Sequence, residues 1–116
     1  MTEGFYTVKD TRESPDGAVF HICLNPESPL FKGHFPGHPI LPGVCSMRII
    51  RECAERMSGR HMRYGKVKLC RFSSVITPGS PEAFDVHVSL MDDGWLSATI
   101  AYDDVQYVHI TSQMEA

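Results

Sequence analysis

The sequence predicts an α+β domain in which an antiparallel sheet wraps one central helix. Three features point there: one stretch of helical periodicity at 44–57, β-patterned runs on both sides of it, and turn-forming residues that cut those runs at short intervals. At 116 residues the chain is read as a single domain, 1–116, large enough to bury roughly 60–70% of the surface it exposes when unfolded.

Residues 5–9 (FYTVK) and 18–24 (AVFHICL) are rich in β-branched and aromatic types, and Ser14-Pro15-Asp16-Gly17 separates them with a turn signal. Two strands are expected, the first short and at a sheet edge. Prolines at 26, 29, 36, 39 and 42 then bias each preceding residue away from helical geometry, so the stretch from Asn25 to Gly43 is expected to be an extended, rigid loop.

From Val44 to Met57, the residues Met47, Ile50, Ala54 and Met57 recur at helical spacing, Ser46, Ile49 and Cys53 fill the same arc, and Gly59 supplies a stop. The opposite arc carries Arg48, Arg51, Glu52, Glu55 and Arg56, whose four-residue spacings favour mutual ion pairing. Beyond the helix, 64–76, 83–91, 95–102 and 105–111 read as four strands in an antiparallel meander, cut by Thr77-Pro78-Gly79-Ser80, Asp92-Asp93-Gly94 and Asp103-Asp104. In the second of these, Phe84, Val86, Val88 and Leu90 alternate with Asp85, His87, Ser89 and Met91, the pattern of a sheet with one face on a core. Open sheet edges in such a fold are satisfied by pairing with a second copy, so a homodimer is expected.

Composition excludes several classes. Eleven Lys and Arg against fourteen Asp and Glu give a net charge of −3 with the cations scattered, which offers nucleic acid no tracking surface. No apolar run reaches the ~20 residues of a membrane span, and the N-terminal sequence lacks the order of a signal peptide, so a cytoplasmic protein is expected. Cys23, Cys45, Cys53 and Cys70 are widely spaced without a C-x-x-C pair, consistent with free thiols in a reducing compartment. His34 and His38 flank Pro36, which forbids a helical ligand pair, and no third ligand is placed nearby, so no metal site is expected.

The stretch Phe31 to Val44, FKGHFPGHPILPGV, resembles the H-F-P-G-x-P-I-x-P-G-V loop of the 3-hydroxyacyl-acyl-carrier-protein dehydratases, members of the hotdog-fold superfamily. Lys68 to Ser80 is similar to that family's strand end, a basic residue and Phe followed by an apolar pair and Pro-Gly. The resemblance implies a hotdog fold and an acyl-thioester substrate on acyl carrier protein or coenzyme A, with no cofactor. It also implies that His34 is the general base at the carbon beside the thioester carbonyl, a role suited to an imidazole of pKa about 6.5. Prolines at 36, 39 and 42 pre-position that ring. The Gly43 and Val44 amides, at the start of the helix, are the implied oxyanion donors. Phe35, Leu41, Phe72 and Val75 are candidate acyl-lining residues, and Arg63, Lys66 and Lys68 are candidates to meet an acidic carrier.

One position departs from the family. Fourteen residues after the histidine the dehydratases carry a helix carboxylate, and here that position is Arg48, whose guanidinium does not donate protons at neutral pH. Glu52, one turn further on, is one replacement for the acid. His34 acting as both base and acid, with Arg48 polarising the substrate, is another. Two other classes stay open: a non-catalytic subunit that binds acyl chains or a carrier, or completes a heterodimer, and an acyl thioesterase.

Overall fold

The computed structural model describes residues 4–33, 40–78 and 83–116. Among them, strands β1 (Tyr6–Ser14) and β2 (Gly17–Leu24) precede two helices, α1 (Pro29–Gly33) and α2 (Gly43–Ser58). Strands β3 (Arg63–Phe72), β4 (Ala83–Leu90), β5 (Trp95–Tyr102) and β6 (Val105–Glu115) follow. The strands form one antiparallel sheet in the order β1-β2-β4-β5-β6-β3.

The alternation read in the sequence sets the core. Phe20 and Ile22 of β2, Phe84, Val86 and Val88 of β4, Leu96 and Ile100 of β5, and Val108 and Ile110 of β6 point inward and are fully buried. They meet Ile49, Ile50, Cys53 and Ala54 of α2. Each large apolar side chain so buried contributes about 1.5–3 kcal/mol, so the helix is held by its apolar arc rather than by intrinsic propensity. Gly59 ends α2 in the left-handed region at φ 73°, its amide donating to the Glu55 carbonyl.

Three expectations need correction. The proline-rich stretch is not extended throughout, because Pro29 occupies the first position of a helical turn, where a missing N–H costs nothing. The Ser28 hydroxyl accepts the Leu30 amide at 3.3 Å and the Phe31 ring is buried, which anchors that turn. The last four strands are also not a simple meander. β4, β5 and β6 are hairpin-connected, but β3 ends at Phe72, short of 76, and pairs with β6 at the far edge of the sheet. The chain after Phe72 turns inward instead, burying Ile76, whose carbonyl accepts the Leu41 amide at 2.8 Å. That bond ties the chain entering α2 to the chain leaving β3.

Both outer strands carry exposed residues, as the edge assignment of β1 requires, although β1 spans nine residues and is not short. Among the described residues no helix is long and apolar enough to cross a membrane.

Candidate active site

The first turn of α2 starts from Pro42, whose extended backbone (φ −61°, ψ 147°) turns its carbonyl onto the Cys45 and Ser46 amides at 2.9 and 3.2 Å. The Gly43 and Val44 amides precede these bonds and have no acceptor among the described residues. The turn contains no acidic side chain, so nothing internal offsets its partial positive charge. These are the two amides that the motif singles out.

Beside them lies a cavity of about 230 Å³ lined by Leu41, Gly43, Ser46, Phe72 and Val75, among others. Its walls come from three parts of the chain, and the Leu41–Ile76 bond draws them together. A methyl group at Gly43 would stand 3.0–3.4 Å from the Phe72 ring, so the absence of a side chain there lets the aromatic face lie against the helix start. The cavity is smaller than the roughly 300–1,000 Å³ of a complete ligand pocket. Its apolar walls are half open: Phe72 is 48% exposed, Val75 61% and Val44 74%, whereas Leu41 is buried.

The helix face running from Val44 carries Arg48 and Glu52 at successive turns. Arg48 Nε donates to Glu52 Oε2 at 2.9 Å, and the Tyr6 hydroxyl donates to Glu52 Oε1. Burial alone would raise the Glu52 pKa. The hydrogen bonds from Tyr6 and Arg48, with the charges of Arg48 and Arg51, outweigh it and hold the carboxyl below its ordinary value. Glu52 is thus ionised at neutral pH with both oxygens engaged. Arg51 and Glu55 form the second expected pair at 3.2 Å, and Glu55 also accepts the Met62 amide at 2.9 Å, which closes the turn into β3.

Of the residues singled out by sequence, Leu41, Gly43, Phe72 and Val75 share one cavity, Val44 follows on the helix, and Arg48 and Glu52 bond each other. His34 and Phe35 lie outside the described residues, as does His38. Sequence reasoning passed over Tyr6 and Ser46. Ser46 was placed on the apolar arc and is indeed buried, but it lines the cavity. Tyr6 shows no motif, because its partner is 46 residues away in the chain. Cys45 beside the cavity is no ready nucleophile: burial pushes its thiol pKa up, more than nearby Arg48 pulls it down.

Residues 10–108 match the family model of ApeI-like dehydratases. The chain belongs to the ApeI-like dehydratase family. The FabZ 3-hydroxyacyl-[acyl-carrier-protein] dehydratase of Fusobacterium nucleatum subsp. nucleatum is 30% identical over 84 residues, 68% of this chain and 58% of that protein. FabZ of Caldanaerobacter subterraneus subsp. tengcongensis is 30% identical over 77 residues, 60% of this chain and 55% of its own length. This ApeI-like chain therefore spans little more than half the length of the curated relatives it matches. Among solved structures, the dehydratase heterocomplex ApeI:P from Xenorhabdus doucetiae superimposes with a TM-score of 0.83 at 17% identity, covering 95% of this chain and 97% of that one. An uncharacterized protein from Erwinia carotovora subsp. atroseptica gives 0.68 at 19% identity, covering 94% and 92%. Both share the antiparallel sheet and helix of this hotdog-fold, dehydratase-like protein.

Proposed function

We propose that this ApeI-like protein eliminates water from a 3-hydroxyacyl thioester carried on acyl carrier protein or coenzyme A, in fatty-acid or related acyl-chain metabolism. The observation that carries the reading is the pair of open amides at Gly43 and Val44, beside an apolar cavity and nine and ten residues after His34 in the motif. His34 removes the proton next to the thioester carbonyl, and the oxygen, as it gains charge, is met by the two amides at the positive end of α2. The C3 hydroxyl then leaves as water, taking the proton back from the His34 imidazolium. This single-residue shuttle follows from the charge state of Glu52. An ionised carboxylate held by two donors accepts hydrogen bonds and has no proton to give, so Arg48 polarises the substrate oxygen and Glu52 supports it. Phe35, Leu41, Phe72 and Val75 enclose the acyl tail.

A second chain completes the enclosure. Val44, Val67, Leu69, Phe72 and Val75 are large apolar side chains left exposed along the α2 start, β3 and the chain after it. A second copy pairing along β3 would cover them. β3 also carries Arg63, Lys66, Lys68 and Arg71 with no acid. The same cations suit an acidic carrier. All four cysteines are free, in keeping with a cytoplasmic protein.

The test is enoyl absorbance on incubation of purified protein with 3-hydroxybutyryl and longer thioesters. Turnover abolished by His34→Ala supports the dehydratase. Acyl ligands that bind without turnover, in the presence of any partner chain, make it a binding subunit, and release of free thiol makes it a thioesterase.

A further inference from the structure

Arginine side chains on open helix faces are flexible, and an i,i+4 pair with glutamate orders them only weakly. Arg48 differs because its carboxylate partner is anchored from elsewhere. Glu52 Oε2 accepts Arg48 Nε at 2.9 Å, while Oε1 accepts the hydroxyl of Tyr6, at the start of β1 and 46 residues away in the chain. Tyr6 is itself fixed: its ring meets that of Phe5 edge to face at 4.9 Å, and Phe5 is buried in the core. A continuous chain of contacts thus runs from the core through Phe5, Tyr6 and Glu52 to the guanidinium.

The partner pair Arg51 and Glu55 shows what the arrangement is not. The second oxygen of Glu55 accepts a backbone amide, that of Met62, and so holds a turn. The second oxygen of Glu52 takes a side-chain donor from another element, and the residue so held lies one helical turn beyond the open Val44 amide. Burial of the phenol and the adjacent carboxylate raise the Tyr6 pKa, so the hydroxyl is protonated and remains a donor at neutral pH.

We propose that Tyr6 and Glu52 are positioning residues that hold the Arg48 guanidinium preset toward the oxygen of a bound hydroxyacyl thioester. The proposal rests on the reading of Arg48 as the substrate-polarising group. Its consequence is kinetic. A donor already in place stabilises charge as it develops without reorganising, so loosening it lowers kcat more than it raises KM.

The experiment compares wild type, Tyr6→Phe, Arg48→Ala and the double variant, following enoyl formation from a 3-hydroxyacyl thioester. Tyr6→Phe keeps the ring and its contact with Phe5 and deletes only the hydroxyl. It is expected to lower kcat about fivefold with KM within about twofold, and to have no further effect in the Arg48→Ala background. Equal losses in both backgrounds, or none in either, overturn the proposal. In parallel, the Arg48 Nε–H resonance is followed by 15N NMR, which needs no turnover. Its hydrogen exchange is expected to quicken about tenfold in Tyr6→Phe and likewise in Glu52→Gln, and exchange unchanged in both overturns the positioning by itself. A full kcat in Arg48→Ala with altered exchange in Tyr6→Phe overturns instead the role given to Arg48, and shows the contact chain to be structural only.

Discussion

The sheet has two free edges, and they are built differently. From Lys9 to Ser14, β1 carries charges of both signs, and it leaves no large apolar side chain exposed; both edge strands shift register, β1 between Val8 and Asp10 and β3 between Tyr64 and Leu69. Mixed charge on an edge without exposed apolar side chains resists pairing with another strand. β3 carries only cations among its charges, but it also exposes Val67, Leu69 and Phe72, and its last residue packs against the start of α2. One edge is finished in a single chain and the other is not. Under the proposed function the difference has a meaning: the unfinished edge adjoins the cavity and the open amides, so assembly and catalysis would share one surface.

The largest effect should come from breaking that asymmetry. Val67→Glu with Leu69→Glu is expected to prevent assembly and abolish enoyl formation while the circular dichroism of the chain stays native, whereas Thr11→Glu on β1 leaves both mass by light scattering and turnover unchanged. Next in size is a change on the finished side. A side chain at Gly17 would meet the Val88 carbonyl of β4 at 1.9 Å, so Gly17→Ala should cost about 1–3 kcal/mol of stability in urea unfolding. The β1–β2 hairpin should loosen while the site keeps its amides.

Gly43→Ala sharpens the contrast from the other side. The new methyl group meets a half-exposed Phe72 ring that can yield by a few tenths of an ångström, and alanine suits a helix better than glycine, so stability should hold or rise by up to about 1 kcal/mol. Turnover should nevertheless fall severalfold, and most for the longest acyl chains, because the displaced ring narrows the cavity. The smallest effect is electrostatic. Because the folded state lowers the Glu52 pKa below 4.5, that carboxylate contributes stability above this value and loses it as pH falls through the folded pKa. Urea midpoints of wild type and Glu52→Gln should differ modestly at neutral pH and converge in acid.

Much of this was legible in the residues. The amphipathic run gave α2 almost to its ends, since burial of one arc is what holds it, and alternation in β4 gave its inner face residue by residue. The place of β3 was not legible, because a turn signal at Thr77-Pro78 says that a strand ends and not where the next one pairs; the β3–β6 ladder joins residues far apart in sequence. The turn at Pro29 was missed because a proline that ends one element also starts another. At the site, the loop motif pointed to Gly43, Val44 and Leu41, whose roles depend on backbone and near neighbours. Tyr6 was invisible, since only folding brings its hydroxyl to Glu52.

Amide hydrogen exchange read strand by strand across a dilution series of the purified chain tests the two-edge account most directly. It predicts that β3 amides unpaired with β6 are protected at high concentration and lose that protection on dilution, while the outward amides of β1 exchange fast throughout. Outward amides of β3 as fast as those of β1 at every concentration would contradict it.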